Sequence, residues 1–184
     1  MTVSDYCECT CDDTSEDING CTNIEATNYS IDATIDDGTC EFNIASSSEV
    51  ITCGGIFVDS GGSSGDYSSN ENQSITIYPA NSGEFLYLDF IEFQLESATF
   101  DNITIYDGPD QTSSILVDAV GSIGLLDSII YASPSNESGA LTITFSTDGS
   151  LTYSGWIAEI GCTTYGPCFG FEVDAITTYE SEID

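Results

Sequence analysis

The sequence predicts an all-β protein, in which an antiparallel, jelly-roll-like β-sandwich follows a small disulfide-rich module. Two observations predict this class. Residues 53–162 contain short segments that alternate apolar and polar side chains, with turn residues between them. The first 40 residues hold five of the eight cysteines and few apolar side chains. We find no segment with a convincing helical pattern.

Residues 1–45 form the predicted N-terminal module, which is acidic and rich in cysteine. Its cysteines are Cys7, Cys9, Cys11, Cys21 and Cys40. A segment with so few apolar residues cannot be held together by burial, so we expect disulfides to stabilise it. Eight cysteines in 184 residues also indicate an oxidising compartment, and therefore a position outside the cell or on its surface.

Residues 46–162 form the predicted sandwich. Strands are predicted where Ile, Leu, Thr, Phe and Tyr recur with period two, at residues 74–78, 85–90, 102–106 and 141–145. Gly, Pro and Asn clusters between these segments indicate turns. The side chains expected to face the core are Ile75, Ile77, Leu86, Leu88, Phe90, Ile103, Ile105, Leu141, Ile143, Phe145, Trp156, Ala158 and Ile160.

Residues 163–184 contain Cys168 and an acidic tail. This stretch is either the opening of a following domain or an extra strand packed on a neighbouring module. The sequence leaves both interpretations open.

The charge balance restricts the function. The chain has 32 Asp and Glu residues, no Lys, Arg or His, and a net charge of −32. Nucleic-acid binding and docking on anionic lipid are excluded because both need basic side chains, and no apolar run approaches the ~18 residues of a membrane span. A partly buried carboxylate must be compensated by N–H groups, hydroxyls, water or a metal ion, of which calcium suits oxygen ligands best. The alternative is a solvated acidic surface.

Catalytic chemistry finds little support in this composition. Triads with His and lysine-dependent chemistry are excluded. Asp59-Ser-Gly61 matches the active-site triplet of aspartic proteases, but that chemistry needs two such loops facing each other, and we find no second copy in suitable surroundings. A glycosidase needs only a carboxylate pair, yet nothing indicates a substrate cleft. We expect no enzymatic activity.

Several motifs in residues 53–162 resemble the CUB domain in their order and spacing. They are Cys53-Gly-Gly, Gly65-Asp-Tyr67, Leu88-Asp-Phe90-Ile-Glu-Phe93-Gln-Leu-Glu96, Asp101-Asn-Ile-Thr-Ile-Tyr-Asp-Gly108, Leu141-Thr-Ile-Thr-Phe145-Ser-Thr-Asp148-Gly-Ser150 and Gly155-Trp156. The Phe-x-x-Phe-x-x-Glu segment followed by Asp-x-apolar-x-Ile-Tyr-Asp-Gly is specific in combination. The resemblance implies a CUB-type antiparallel sandwich.

The resemblance also implies a calcium site. Its ligands would be the carboxylates of Glu96, Asp101 and Asp148 and the backbone carbonyl of Ser150, while Tyr67 would hydrogen-bond an acidic ligand without touching the ion. Three carboxylates converging at one end of a sandwich repel one another strongly unless a divalent cation joins them.

The chain departs from many CUB domains in its cysteines. Gln73 and Phe100 lie where two of the usual cysteines would be. Cys53 is retained and Cys162 closes the domain, so we prefer a Cys53–Cys162 bridge between the first and last strands. The loop from Glu96 to Asp101 is also short, and both departures resemble CUB-like modules of large secreted bacterial proteins.

Residues 20–40 resemble a Gly-Cys…Ala-x-Asn-Tyr…Asp-Gly-Ser-Cys repeat of long bacterial surface proteins, which implies a Cys21–Cys40 bridge. A second calcium site is an alternative for the aspartates Asp32, Asp36 and Asp37. Their spacing does not match an EF-hand loop, so an acidic turn at Asp37-Gly38 is favoured. The pairing of the remaining cysteines cannot be read from the sequence.

Two functional hypotheses follow. The first is a calcium-binding adhesion or binding module at the cell surface, whose protein or glycan ligand presents a basic group because this chain has none. The alternative is a structural stalk or filament segment of a long surface adhesin, stiffened by calcium and disulfides. Its partners would be neighbouring modules of the same chain.

Overall fold

A computed structural model describes residues 16–164 of the chain. The predictions for the tail and for four of the cysteines, Cys7, Cys9, Cys11 and Cys168, lie outside the described residues. Within residues 16–164 the chain forms strands and one short 3-10 helix, Gly62–Ser64. No helix in this part of the chain is long and apolar enough to cross a membrane.

Twelve strands are present in the described range. They are β1 (Asn19–Gly20), β2 (Ile35–Asp36), β3 (Glu41–Asn43), β4 (Glu49–Ile51), β5 (Ile56–Val58), β6 (Asn72–Tyr78), β7 (Phe85–Gln94), β8 (Asn102–Asp107), β9 (Ser114–Val120), β10 (Ser128–Tyr131), β11 (Leu141–Ser146) and β12 (Gly155–Thr163).

Ten of these strands build two five-stranded sheets that form the sandwich. One sheet has the order β10-β7-β12-β5-β3, and the other has the order β4-β6-β11-β8-β9. The central pairings are antiparallel, as in β7 with β12 and β11 with β8. The predicted all-β sandwich is therefore confirmed.

The core lies between the two sheets. Every side chain expected to face inward from the period-two pattern is buried. Trp156 lies among these residues, with ring centroids 4.8 Å from Phe145 of the opposite sheet and 5.5 Å from Phe57. Strands with one apolar face need a second sheet to cover them, so the alternation in the sequence already determines which face is inside.

The sequence pattern does not predict strands β9 and β10. β9 has the sequence Ser-Ile-Leu-Val-Asp-Ala-Val, and only Val117 of it is buried while Ile115 and Leu116 are exposed. Its pairing with β8 contains two register shifts, which break the alternation of side chains between the faces. β10 is a four-residue edge strand, too short to show a period.

The chain enters the sandwich through two short parallel strands on opposite sheets. β3 pairs with β5 at the edge of one sheet, and β4 pairs with β6 at the edge of the other. Phe42, Ile44 and Val50 are buried in the common core. The first predicted domain thus contributes a strand to the sandwich, while the division of the chain at residue 45 stays a prediction.

Two disulfide bridges join cysteines within the described range. Cys21 is bonded to Cys40, and Cys53 is bonded to Cys162. The first closes a short loop with a sequence separation of 19. The second spans a separation of 109 and connects the stretch before β5 with the last strand.

Candidate metal centre

Three acidic side chains converge at one end of the sandwich. Glu96 lies two residues after β7, Asp101 directly precedes β8, and Asp148 lies two residues after β11. Because β8 and β11 are antiparallel and pair Asn102 with Ser146, the start of one and the end of the other meet. One ligand oxygen from each of the three carboxylates lies within 4.8 Å of the other two.

Asp101 is the most deeply placed of the three acids. It is fully buried, and its Oδ2 accepts a hydrogen bond of 2.5 Å from the Tyr67 hydroxyl. Its Oδ1 accepts one of 2.9 Å from the backbone N–H of Asp148. Buried carboxylates are tolerated only when such donors compensate them.

Tyr67 connects Asp101 with Glu96, which lie at the ends of strands from different sheets. Its hydroxyl donates to Asp101 and accepts a hydrogen bond of 3.1 Å from the backbone N–H of Glu96. Its ring is buried edge-on against Phe145, with centroids 5.2 Å apart. Burial, followed by the hydrogen bond to Asp101, raises the pKa of Tyr67, so the phenol stays protonated and continues to donate.

Asp148 is oriented by the loop that follows it. Its Oδ1 accepts hydrogen bonds from the backbone N–H of Ser150 at 2.8 Å and from the Ser150 hydroxyl at 3.1 Å. Its own carbonyl accepts a bond of 2.6 Å from the N–H of Asn70. Ser150 therefore lies beside the acid cluster, and the role of its carbonyl as a ligand stays a prediction.

Glu96 is the acid whose charge is least compensated. Its Oε2 is buried and has no hydrogen-bond partner among the described residues. Burial raises the pKa of Glu96, and the charges of Asp148 and Asp101 raise it further. A carboxylate oxygen left without a donor beside two other acids is a position that a cation would satisfy.

The spacing of the acids fits one calcium ion. Calcium–oxygen distances are about 2.4 Å, so two ligand oxygens on one ion lie at most ~4.8 Å apart. Without an ion, carboxylates this close to one another repel. The ligand atoms are all oxygens. Calcium prefers oxygen ligands, whereas softer metals prefer nitrogen or sulfur.

One other group of potential metal ligands occurs among the described residues, and it is less suitable. Cys53 and Cys162 lie near Glu84, but their sulfurs are bonded to each other and offer no thiolate.

Two aspartates of the described part of the N-terminal module, called the N-terminal unit below, are held by local hydrogen bonds. Asp36 Oδ1 accepts from the N–H of Gly38, and Asp37 Oδ1 accepts from the N–H and hydroxyl of Thr39. These bonds describe an acidic turn, in which hydrogen bonds from Thr39 lower the pKa of Asp37.

Asp59 has a structural role that the sequence analysis missed. It is fully buried, its Oδ1 accepts from the N–H of Gly61 at 2.7 Å, and its Oδ2 accepts from the N–H of Trp156 at 2.9 Å. Burial raises its pKa to about 6 against these hydrogen bonds, with a smaller contribution from Glu71. Its aspartic-protease-like triplet therefore ties two segments of backbone together. Only the flanking apolar strand residues, Ile56 to Val58, could have indicated this burial.

Comparisons with known proteins bear on the fold. No protein-family model matches the sequence, and no curated protein matches it. Among solved structures, the CUB1-EGF-CUB2 domain of human MASP-1/3 is similar with a TM-score of 0.51 and 19% identity, over 71% of this chain. The CUB1-EGF-CUB2 domains of rat MASP-1 give a TM-score of 0.52 and 19% identity over 68%. The chain has a CUB-like fold.

The chain spans less than half of those two structures, 49% of the human chain and 46% of the rat chain. A calcium-bound MASP-1 CUB2 domain is also similar, with 20% identity over 52% of this chain and 81% of that chain. Its TM-score of 0.40 is too low to bear on the metal. The case for an ion in this CUB-like sandwich therefore depends on the acid cluster itself.

Proposed function

We propose that this chain is a non-enzymatic, extracellular, calcium-binding module that binds a protein or glycan ligand through a basic group of that ligand. One observation carries the proposal: three carboxylates share a space fit for one ion, and Glu96 Oε2 is buried there without a partner among residues 16–164. Because the chain has no Lys, Arg or His, the compensating charge must come from solution or from a partner.

Calcium would hold together loops that belong to different sheets. It would neutralise two of the three negative charges and leave one unit of negative charge at the end of the sandwich when all three acids are ionised. That remaining charge attracts a basic group of a ligand. A second copy of this chain has no basic side chain with which to occupy the same position.

The extracellular position is supported by two disulfide bridges, because such bonds persist in oxidising compartments. The non-enzymatic character is supported by the hydrogen bonding of Asp59, the residue of the protease-like triplet. Both of its oxygens are occupied by backbone N–H groups, and it has no accessible surface.

Replacing Asp148 with alanine is expected to abolish stabilisation by calcium. At a calcium concentration about 100 times the dissociation constant, binding stabilises the folded state by roughly 3 kcal/mol. We therefore expect the melting temperature of the unmodified chain to rise in millimolar calcium. The D148A variant should show no such rise, since it lacks one of the three ligands.

The matched control is Asp118→Ala, which removes the same charge from an exposed position on β9. D118A should retain the full calcium response. An equal calcium response in D148A and in the unmodified chain would show that the ligand assignment is wrong.

The stalk hypothesis remains the second candidate, and one observation favours it. Cys21, Ala26 and Cys40 of the N-terminal unit belong to the same buried cluster as the sandwich, which would make a stiff rod segment. Calcium-dependent stability together with negligible binding of basic ligands would support the stalk. Calcium-dependent binding of such ligands would support the binding module.

A further inference from the structure

Three exposed apolar side chains belong to the loops that carry or contact the acid cluster. Phe100 is 49% exposed, Ile123 is 65% exposed and Leu151 is 64% exposed. They come from three different loops, those that follow β7, β9 and β11. We call these three residues the apolar rim.

Each rim residue is the chain neighbour either of one of the three acids or of a residue that is hydrogen-bonded to one of them. Phe100 directly precedes Asp101. Leu151 directly follows Ser150, whose N–H and hydroxyl both bond to Asp148 Oδ1. The rim therefore has one member beside Asp101 and one beside Asp148.

The third member adjoins Glu96. Ile123 follows Ser122, whose N–H donates a 2.7 Å bond to the carbonyl of Glu96 and whose carbonyl accepts a 2.8 Å bond from the N–H of Leu95. Gly121 permits this approach, since a Cβ there would overlap the backbone of Glu96 and Ala98. Each of the three acids thus has one exposed apolar residue from the loops around it.

The rim gains nothing from its exposure in the free protein. A large apolar side chain in water is unfavourable, and exposed apolar side chains on the loops that share one charged site suit a contact surface. Protein interfaces commonly combine a desolvated apolar contact with a small number of charged groups that fix orientation.

We propose that the apolar rim is the second half of the ligand site, and that the partner is a protein segment in which a Lys or Arg side chain is flanked by apolar residues. This inference depends on the proposed function, because the basic side chain is the group attracted by the calcium-bound acids. The rim adds the selection of its neighbours.

Charge decides between a protein segment and a lipid surface. Exposed apolar loops beside a calcium site also suit insertion into an anionic membrane. A chain with a net charge of −32 and no basic residue is repelled by such a surface. A basic protein segment, in contrast, is attracted to the chain.

The test uses the full chain and four synthetic peptides of equal length. Two peptides carry a central lysine, flanked by Leu and Phe in one and by Ser and Gly in the other; the remaining two carry glutamine in place of the lysine. Binding is measured by fluorescence anisotropy in calcium. We expect the apolar-flanked lysine peptide to bind about tenfold more tightly than the polar-flanked lysine peptide, and the glutamine peptides not to bind.

The variant combining Phe100→Ser, Ile123→Ser and Leu151→Ser should lose this tenfold preference. It should retain the affinity for the polar-flanked lysine peptide and the rise of melting temperature in calcium, because the acids are unchanged. The control is Ile31→Ser, which removes an apolar side chain that is 83% exposed in the N-terminal unit. I31S should keep the preference.

The outcomes separate the two proposals. Equal affinity for both lysine peptides, or an equal loss of preference in I31S, overturns the rim proposal alone. Failure of both lysine peptides to bind, while calcium still raises the melting temperature, overturns the rim proposal together with the binding of a basic protein ligand in the proposed function. Calcium-dependent sedimentation with vesicles of phosphatidylserine and phosphatidylcholine that is lost in the rim variant would show that the rim serves a membrane instead.

Discussion

Replacing both Cys53 and Cys162 with alanine is expected to lower the free energy of unfolding by about 5 kcal/mol. The bridge closes a loop with a sequence separation of 109, and a cross-link over such a length removes much of the conformational entropy of the unfolded chain. It also holds the last strand, β12, to the stretch that precedes β5. The measurement is equilibrium unfolding in urea.

The Cys21–Cys40 bridge is the internal control for that prediction. Its sequence separation is only 19, so replacing both of its cysteines with alanine is expected to cost about 3 kcal/mol. The larger loss should therefore follow removal of the longer loop. The reverse order would contradict the assignment of the main stabilisation to the Cys53–Cys162 bridge.

Replacing Asp59 with alanine is expected to destabilise the sandwich by about 2–3 kcal/mol at pH 5. The substitution leaves the N–H groups of Gly61 and Trp156 without their acceptor in the interior. Asp59 also explains the glycine at position 155, since a Cβ on Gly155 would overlap Asp59 Oδ2 and Gly155 has a φ of +68°. Asp118→Ala is the exposed control and should change stability little.

The pH dependence of this difference has a definite sign. The pKa of Asp59 is raised from 3.8 in the unfolded chain to about 6 in the folded chain, chiefly by burial. A group with a raised pKa contributes stability that is present at low pH and is lost as the pH rises through about 6. The stability difference between the unmodified chain and D59A should thus shrink by roughly 1 kcal/mol from pH 5 to pH 7.5. A difference that grows over this range would refute the assignment.

The sequence was sufficient for the sandwich because its strands alternate cleanly. Ile75 and Ile77, or Ile103 and Ile105, each mark a buried face, and all four are inaccessible to solvent. The same rule fails for β9, where two register shifts disrupt the alternation. Irregular edge strands carry no periodic signal, so only the surrounding fold determines where they pair.

The candidate site was predictable to a different depth for each residue. Glu96, Asp101 and Asp148 followed from a resemblance in motif order, and the fold brings them within one ion's reach. The apolar rim could not be predicted, because exposure of Ile123 depends on how the loop after β9 approaches Glu96. Burial of Asp59 was missed for a similar reason: its two N–H partners lie 2 and 97 residues away.

The two parallel strands where the chain enters the sandwich, β3 and β4, also protect the sheet edges against pairing with other chains. Each covers backbone N–H and C=O groups of the strand it pairs with, β5 in one sheet and β6 in the other. Both strands are only three residues long, so they offer few backbone groups with which a strand of another molecule could pair. A chain trimmed to begin at Cys53 would lack β3 and β4 and would expose the edges of β5 and β6. Polymerisation by strand pairing between molecules would then compete with folding.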